Sequence, residues 1–384
     1  MTVYCTAPWS GVTVREDGHV RTCCVGATSL GNLNETTIDQ IINSTALDQI
    51  RQDMLSNTPN LQNCGSCIKS EKQSGLATLK QHYNKFYPIT NVNEFNLKNL
   101  DIRWNNTCNL GCMYCDHIFS STWQDRLGLD RSSVVKHYQN NLLDWILDNA
   151  SQLQEIMLVG GEPMLMKQNY AVLNRLPDQS KVSIITNLSY DLPNLPCIPK
   201  LLSRPRENTV WNVSLENTKS QFEYVRNGSK WELIKRNLEY LTQHWPNTIS
   251  INFVYSMFSA FSITDTVQIL NQLGIKKINL FAINGNPTMD VFNMPIPIRM
   301  AASNELERAI IWHVDQLHPE DKDLYTFNGA DAILAQLRKS TGLNRITLDS
   351  FLSKIEWYDQ YNETNFSSLW PNVLDLVKKH LYTK

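Results

Sequence analysis

The sequence predicts an α/β protein: a partial (β/α)6 TIM-like barrel, preceded by a small cysteine-bearing α+β module and followed by a helical extension. Three observations predict it. Short β-branched or apolar runs alternate with longer helical patterns from about residue 97. A hairpin signal and an amphipathic stretch precede them, and a proline-rich segment without periodicity separates them from a helical tail. The chain has 384 residues, above the roughly 100–200 of one domain, and the changes of texture place boundaries at 1–90, 91–290 and 291–384.

The first element is "VTVREDGHVRT", residues 12–22, where apolar and polar residues alternate about Asp17-Gly18. This is a hairpin whose turn uses the positive φ open to glycine. In "TIDQIINSTALDQIRQDML", Thr37 can cap a helix carrying Ile38, Ile41, Ile42, Leu47, Ile50 and Met54 at helical spacing, until "NTPNLQNCGSC" breaks the pattern. Six candidate strands follow: "NLDIRW" (99–104), "EIMLVG" (155–160), "KVSIIT" (181–186), "VWNVSL" (210–215), "ISINFVY" (249–255) and "KINLFAI" (277–283). Between the first two, Val134, Tyr138, Leu142, Trp145 and Ile146 form one helical stripe, and "SKWELIKRNLEYLTQHW" and "TDTVQILNQLG" supply further helices. After "NGNPTMDVFNMPIPIRM", the spacing of Leu306, Ile310, Val314 and Leu317 predicts helix again.

Charge narrows the function classes. Lysine plus arginine number 35 against 37 acidic residues, with no run of five or six like charges. There is thus no electrostatic case for a nucleic-acid or lipid-surface partner, and a small neutral or peptide-like partner is the simpler expectation. The start, "MTVYCTAPWSGV", lacks a basic segment followed by an apolar one, and no window approaches roughly 18 apolar residues, so no membrane span and a cytoplasmic location are expected. Nine cysteines in a reducing compartment point to metal binding rather than disulfides. No GxxxxGK loop signals nucleotide hydrolysis.

Three of those cysteines, Cys108, Cys112 and Cys115, sit in "RWNNTCNLGCMYCDH", just after the first barrel strand. Reactive groups of βα barrels collect at that end of the strands. Three thiolates can hold three corners of a [4Fe-4S] cluster and leave one iron open. Tetrahedral zinc completed by His117 fits the same ligand chemistry. The second strand runs into "VGGEPML"; there Gly160 and Gly161 let the main chain approach a ligand and Glu162 can partner an ammonium, or the segment is an ordinary turn opening a helix at Glu-Pro. Cys5, Cys23, Cys24, Cys64 and Cys67 fall in the amino-terminal module, where four thiols close a second centre, iron-sulfur or a zinc ribbon. Cys23 and Cys24, being adjacent, face opposite sides, so one of them serves. Cys197 reads as a structural thiol.

The segment "CNLGCMYC" has the CxxxCxΦC form, with Tyr114 as the aromatic, and resembles the signature of the radical S-adenosylmethionine (radical SAM) superfamily, with further segments agreeing in order over roughly residues 97–285. The resemblance implies SAM chelated at the open iron and cleaved by one electron to methionine and a 5′-deoxyadenosyl radical, which takes hydrogen from a substrate. It assigns the methionyl ammonium to Gly160, Gly161 and Glu162. Thr186 and Asn187 of "ITNLS" lie near the ribose, and Ser214 and Glu216 on the polar strand end facing it. In "YVRNGSKWE" it gives Arg226 the SAM carboxylate, which a guanidinium grips by two parallel hydrogen bonds. Glu216-Asn217 stand where family members carry Asp. Adenine needs a flat apolar slot, for which Tyr114, Phe253, Val254, Leu280 and Phe281 are candidates, core packing being the other reading.

The amino-terminal pattern, a Cys before a hairpin, "DGHVRTCC" at its end, "LGNL" and a helix before "CGSC", resembles the SPASM/twitch extension of those enzymes. That implies one auxiliary cluster, expected as [4Fe-4S], on Cys5, Cys23, Cys64 and Cys67, with Cys24 as the alternative to Cys23. Here the extension precedes the barrel rather than following it. The resemblance further implies an oxidoreductase or maturase-like enzyme acting on a peptide or protein side chain or a small molecule, with an electron donor such as flavodoxin or ferredoxin. Two other readings stay open: a non-catalytic zinc-bound interaction protein, and a family member that binds SAM without cleaving it.

Overall fold

A computed structural model of the chain describes residues 4–74, 78–130, 139–283, 285–316, 326–339 and 345–382. The chain divides into two units, one of residues 1–108, 117–185 and 195–210, the other of 109–116, 186–194 and 211–384.

In the first unit the strands β1 (Gly11–Val14), β2 (His19–Arg21), β3 (Gly31–Asn32), β4 (Asn99–Ile102), β5 (Glu155–Leu158) and β6 (Lys181–Thr186) lie in the order β3-β2-β1-β4-β5-β6. The expected hairpin is β1–β2, antiparallel with Thr13 opposite Arg21, and its turn holds Gly18 at φ +86°. From β1 onward the pairing is parallel: Thr13 lies opposite Asp101, Asp101 opposite Met157, and Met157 opposite Ser183. The sheet therefore runs across the boundary expected at residue 90. With side chains alternating, one face carries Val12, Val14, Leu100, Ile102, Ile156, Leu158, Val182 and Ile184, all buried. The other face carries Thr13, Asn99, Asp101, Arg103, Met157 and Ser183; Thr13 and Asp101 are buried there, and Asp101 Oδ1 accepts from Arg103 Nη1 at 2.8 Å.

The amino-terminal helices begin at caps. Thr37 forms a capping box with Gln40 and opens the helix Ile38–Ile42. The single helix expected there is two, because the Ser44 hydroxyl accepts from the Leu47 N–H and starts a second at Thr45–Leu55. "CGSC" does not end a helix but lies inside one, Leu61–Ser74, so Cys64 and Cys67 sit one turn apart on the same face.

In the second unit β7 (Thr209–Ser214), β8 (Ile249–Tyr255), β9 (Lys277–Ala282) and β10 (Thr326–Asn328) run side by side, all parallel. The sixth expected strand is thus not the last: three residues of the carboxy-terminal extension add β10 to its edge, a run too short to stand out in the sequence. The helix Ile296–Asp315 buries Ile298, Ala302, Leu306, Ala309 and His313, while Val314 of the expected stripe is 53 % exposed. Small residues at 302 and 309 set the buried face, and an apolar count passes over them. The helix Gln139–Asn149 buries Leu142 and Ile146 as expected, while Trp145 is half-buried and its indole donates to Asp39 Oδ1 at 3.0 Å. Val134, Tyr138 and Leu317 lie outside the described residues.

Candidate functional site

In the first unit Cys5, Cys23, Cys64 and Cys67 line one cavity, together with Ala7, Val25, Asn63, Leu79, Lys80 and Tyr83. The segment before β1, the turn after β2 and two successive turns of the helix Leu61–Ser74 each deliver thiols to it. Cys24 does not line that cavity. Its side chain lies in a neighbouring one with Thr13, Asn99, Asp101 and Met157, so the turn after β2 sends the two adjacent thiols into different cavities.

Burial pushes the Cys5 thiol up to about 12, with the nearby Cys23, Cys64 and Cys67 adding to the shift against the Ala7 backbone N–H. Burial likewise raises Cys23, and takes Cys64 up to about 11 with Cys67 next in effect. Buried thiols whose ionisation is opposed in this way, as at Cys5, Cys23 and Cys64, are stabilised as thiolates by a cationic centre beside them. The four thiols line one space, and a centre offering one iron to each thiolate takes four such ligands.

Of the second cysteine group, Cys108 belongs to the first unit and Cys112 and Cys115 to the second, and each part is ordered by its own unit. In the first, the Cys108 N–H donates to Ser121 Oγ at 3.1 Å, and Thr122 Oγ1 donates to the Cys108 carbonyl at 2.8 Å. The "GGEP" turn packs on the strand leading there: Glu162 N–H donates to Thr107 O at 2.8 Å. A Cβ on Gly161 would lie 2.3 Å from Thr107 O, and Gly160 holds φ +131°. The close approach that glycine permits here is between two stretches of the chain itself. Glu162 is fully buried and its Oε1 accepts from Met164 N–H at 3.2 Å, so it caps the turn. Asn169 fixes the turn from behind, donating to the Pro163 carbonyl at 2.8 Å and accepting from Trp104 Nε1 at 2.7 Å.

In the second unit the cysteine loop pairs by its backbone with residues 225–227: Gly111 N–H donates to Asn227 O and Met113 N–H to Val225 O, each at 2.9 Å. Cys112 is buried; Cys115 is half-buried, and its N–H donates to Cys112 O at 3.1 Å. Arg226, expected at a ligand carboxylate, is 5 % exposed and meets Glu216 instead, with Nε to Oε2 at 2.8 Å and Nη2 to Oε1 at 2.6 Å. The guanidinium also lies 5.7 Å from the centre of the Tyr114 ring. Burial drives the Tyr114 hydroxyl well above its ordinary value. The pair thus supports the loop's aromatic residue from beneath, which the sequence did not disclose because it placed the two side chains on separate ligand groups.

Ser214 ends β7, two residues before Glu216 and on the same side by alternation. Thr186 Oγ1 contacts the Tyr190 hydroxyl at 2.7 Å and accepts from Leu188 N–H at 2.9 Å. Asn187 donates to Asn109 Oδ1 at 2.9 Å, and Asn109 Nδ2 donates to Ser189 O at 2.6 Å. Asn109 and Ser189, which sequence reasoning missed, therefore tie the cysteine loop to the end of β6. The signal was the Asn-Leu-Ser triplet, whose Asn side chain accepts from the Ser189 N–H at 2.8 Å and turns the chain. Of the slot candidates, Phe253 lies opposite Leu280 and Val254 opposite Phe281, so the two pairs face opposite sides of their strands and cannot line one slot. Phe253 and Leu280 are buried, and Phe281 is 52 % exposed.

Residues 5–68 match the SPASM family, an iron-sulfur cluster-binding domain. The chain resembles radical SAM enzymes that carry a SPASM domain. The four cavity-lining thiols, Cys5 to Cys67, all fall inside the SPASM segment. Among solved structures, native anSMEcpe with bound AdoMet is similar at 15% identity and a TM-score of 0.41, over 56% of this chain and 59% of that one. Streptococcus suis SuiB bound to S-adenosylmethionine is similar at 16% identity and 0.37, over 64% and 55%. TYW1 with a lysine-pyruvate adduct bound is similar at 13% and 0.37, over 65% and 81%. The chain spans about three fifths of the length of the first of these structures. No curated protein sequence matches it.

Proposed function

We propose that the chain is a radical SAM enzyme whose SPASM segment carries one auxiliary [4Fe-4S] cluster on Cys5, Cys23, Cys64 and Cys67. The observation that carries this reading is the convergence of those four thiols on one cavity inside the SPASM match, in a chain that also bears the CxxxCxΦC loop. Cys108, Cys112 and Cys115 hold the second cluster. With SAM bound, that cluster supplies a 5′-deoxyadenosyl radical by one-electron cleavage, leaving methionine.

The protein's own part is placement. Ser121, Thr122, Asn109 and the backbone of 225–227 order the cysteine loop. Arg226 and Glu216 brace Tyr114 and set the charge near the loop; Gly160, Gly161, Glu162, Thr186, Asn187 and Ser214 line the strand ends where SAM is held. The six βα strands are read as those of a partial barrel. A peptide or protein side chain, or a small molecule, is the substrate, and a flavodoxin or ferredoxin of the cytoplasm delivers the electron. No helix among the described residues is long and apolar enough to cross a membrane.

The test is anaerobic reconstitution followed by SAM and dithionite. About eight iron per chain is expected, about half of it surviving in a chain with Cys108, Cys112 and Cys115 all changed to Ala, and 5′-deoxyadenosine forms with the intact chain but not with Cys112→Ala. Stoichiometric zinc after expression with ample iron would instead support an interaction protein.

A further inference from the structure

The cavity that gathers Cys5, Cys23, Cys64 and Cys67 has one formally charged residue among the described residues lining it, Lys80. The Lys80 ammonium is 2.6 Å from Glu71 Oε2, and the side chains of the pair are only 9 % and 5 % exposed. Glu71 is anchored on its other oxygen, which accepts from Thr78 Oγ1 at 2.6 Å. Lys80 is rigidly placed as well, because Thr78 and Gln81 form a capping box that starts the helix Leu79–Phe86. One turn further on, Tyr83 lines the same cavity and donates to Asn99 Oδ1 at 3.0 Å. The pair is therefore set between two anchored segments, with Lys80 lining the thiol cavity and Glu71 outside its lining. Glu71, Thr78 and Lys80 all lie beyond the matched residues 5–68.

We infer that Lys80 sets the reduction potential of the auxiliary cluster, with Glu71 as the opposing charge that limits its effect. This rests on the proposal that the four thiols hold an iron-sulfur cluster. Four thiolates leave such a centre net negative, and each electron added increases that charge, so a nearby ammonium stabilises the reduced state more than the oxidised one. A buried cation does this with little screening by salt, whereas the field of a surface lysine is largely screened beyond a Debye length, about 8 Å at physiological salt. Glu71, which does not line the cavity, acts with the opposite sign. Removing the lysine charge makes reduction harder, and removing the glutamate charge makes it easier. A structural role alone predicts loss of iron or stability in either variant, not midpoints that move in opposite directions.

The experiment uses the full-length chain with Cys108, Cys112 and Cys115 changed to Ala, so that one cluster remains, reconstituted anaerobically and titrated potentiometrically with detection by electron paramagnetic resonance. Lys80→Met is expected to shift the midpoint to more negative potential, Glu71→Gln to more positive potential, and Lys80→Arg to leave it near that of the parent. Equal midpoints in the parent, Lys80→Met and Glu71→Gln would overturn the inference, as would shifts of the same sign. If Lys80→Met does not retain iron, Glu71→Gln decides: a positive shift supports the inference and an unmoved midpoint overturns it. A parent chain that assembles no cluster overturns the SPASM-site reading itself, a failure seen in iron and sulfide content before any potential is measured.

Discussion

Replacing Gly161 by Ala tests whether the "GGEP" turn is shaped by the chain's own packing. The added methyl would stand 2.3 Å from Thr107 O and 2.6 Å from Asn106 O, both backbone atoms. Ordinary contact begins near 3.4 Å, so one strand of the turn must retreat by roughly 1 Å. That retreat breaks the 2.8 Å bond from Glu162 N–H to Thr107 O, worth about 1 kcal/mol, and the overpacking itself costs about 1–3 kcal/mol. The sum, about 2–4 kcal/mol, lowers the thermal midpoint of a chain of 384 residues by on the order of 3–5 °C. Gly274→Ala is the control: at φ +77° with nothing within 4 Å of a Cβ, it pays only for the left-handed backbone, about 1–2 kcal/mol. Both variants and the parent are melted by far-ultraviolet circular dichroism without metal. If Gly161→Ala melts within 2 °C of the parent, or no lower than Gly274→Ala, the close approach at residue 107 is not what the glycine serves.

Other outcomes follow from the same structure. Arg226→Met or Glu216→Gln leaves a buried charge alone and should each cost about 3–5 kcal/mol in urea unfolding, while the double variant costs well under their sum; additive losses would mean the two side chains do not act as a pair. Burial first, and then the Asp101 carboxylate, pushes the Cys24 thiol up to about 11, so without metal it stays protonated through pH 9. Its alkylation by iodoacetamide, followed by mass spectrometry, should keep rising about tenfold per pH unit to pH 10, whereas a free cysteine near 8.5 levels off; an early plateau would mean that the Cys24 residue, exposed at the surface, has a thiol that is not desolvated. Ser44→Ala removes the hydroxyl that accepts from Leu47 N–H and should destabilise by about 1 kcal/mol, read from the urea midpoint at unchanged slope.

The sequence by itself determined the elements and the ligand types. All six expected strands are present within a residue or two of their expected ends, because apolar runs bounded by turn residues have few other ways to satisfy their backbone. The CxxxCxΦC and CxxC groups were legible from spacing, since thiols three and four residues apart suit metal chemistry in a reducing compartment. Tertiary structure decided what depends on meetings between distant segments. It joined β1 to β4 across an expected boundary, placed β10 beside β9, turned Cys23 rather than Cys24 toward the other thiols, and locked Arg226 onto Glu216. It also put Lys80 at the thiol cavity, 2.6 Å from a glutamate on a different helix. No local pattern encodes these choices, because a buried charge takes whichever partner the packing brings within reach, and that is fixed only when the chain has closed on itself.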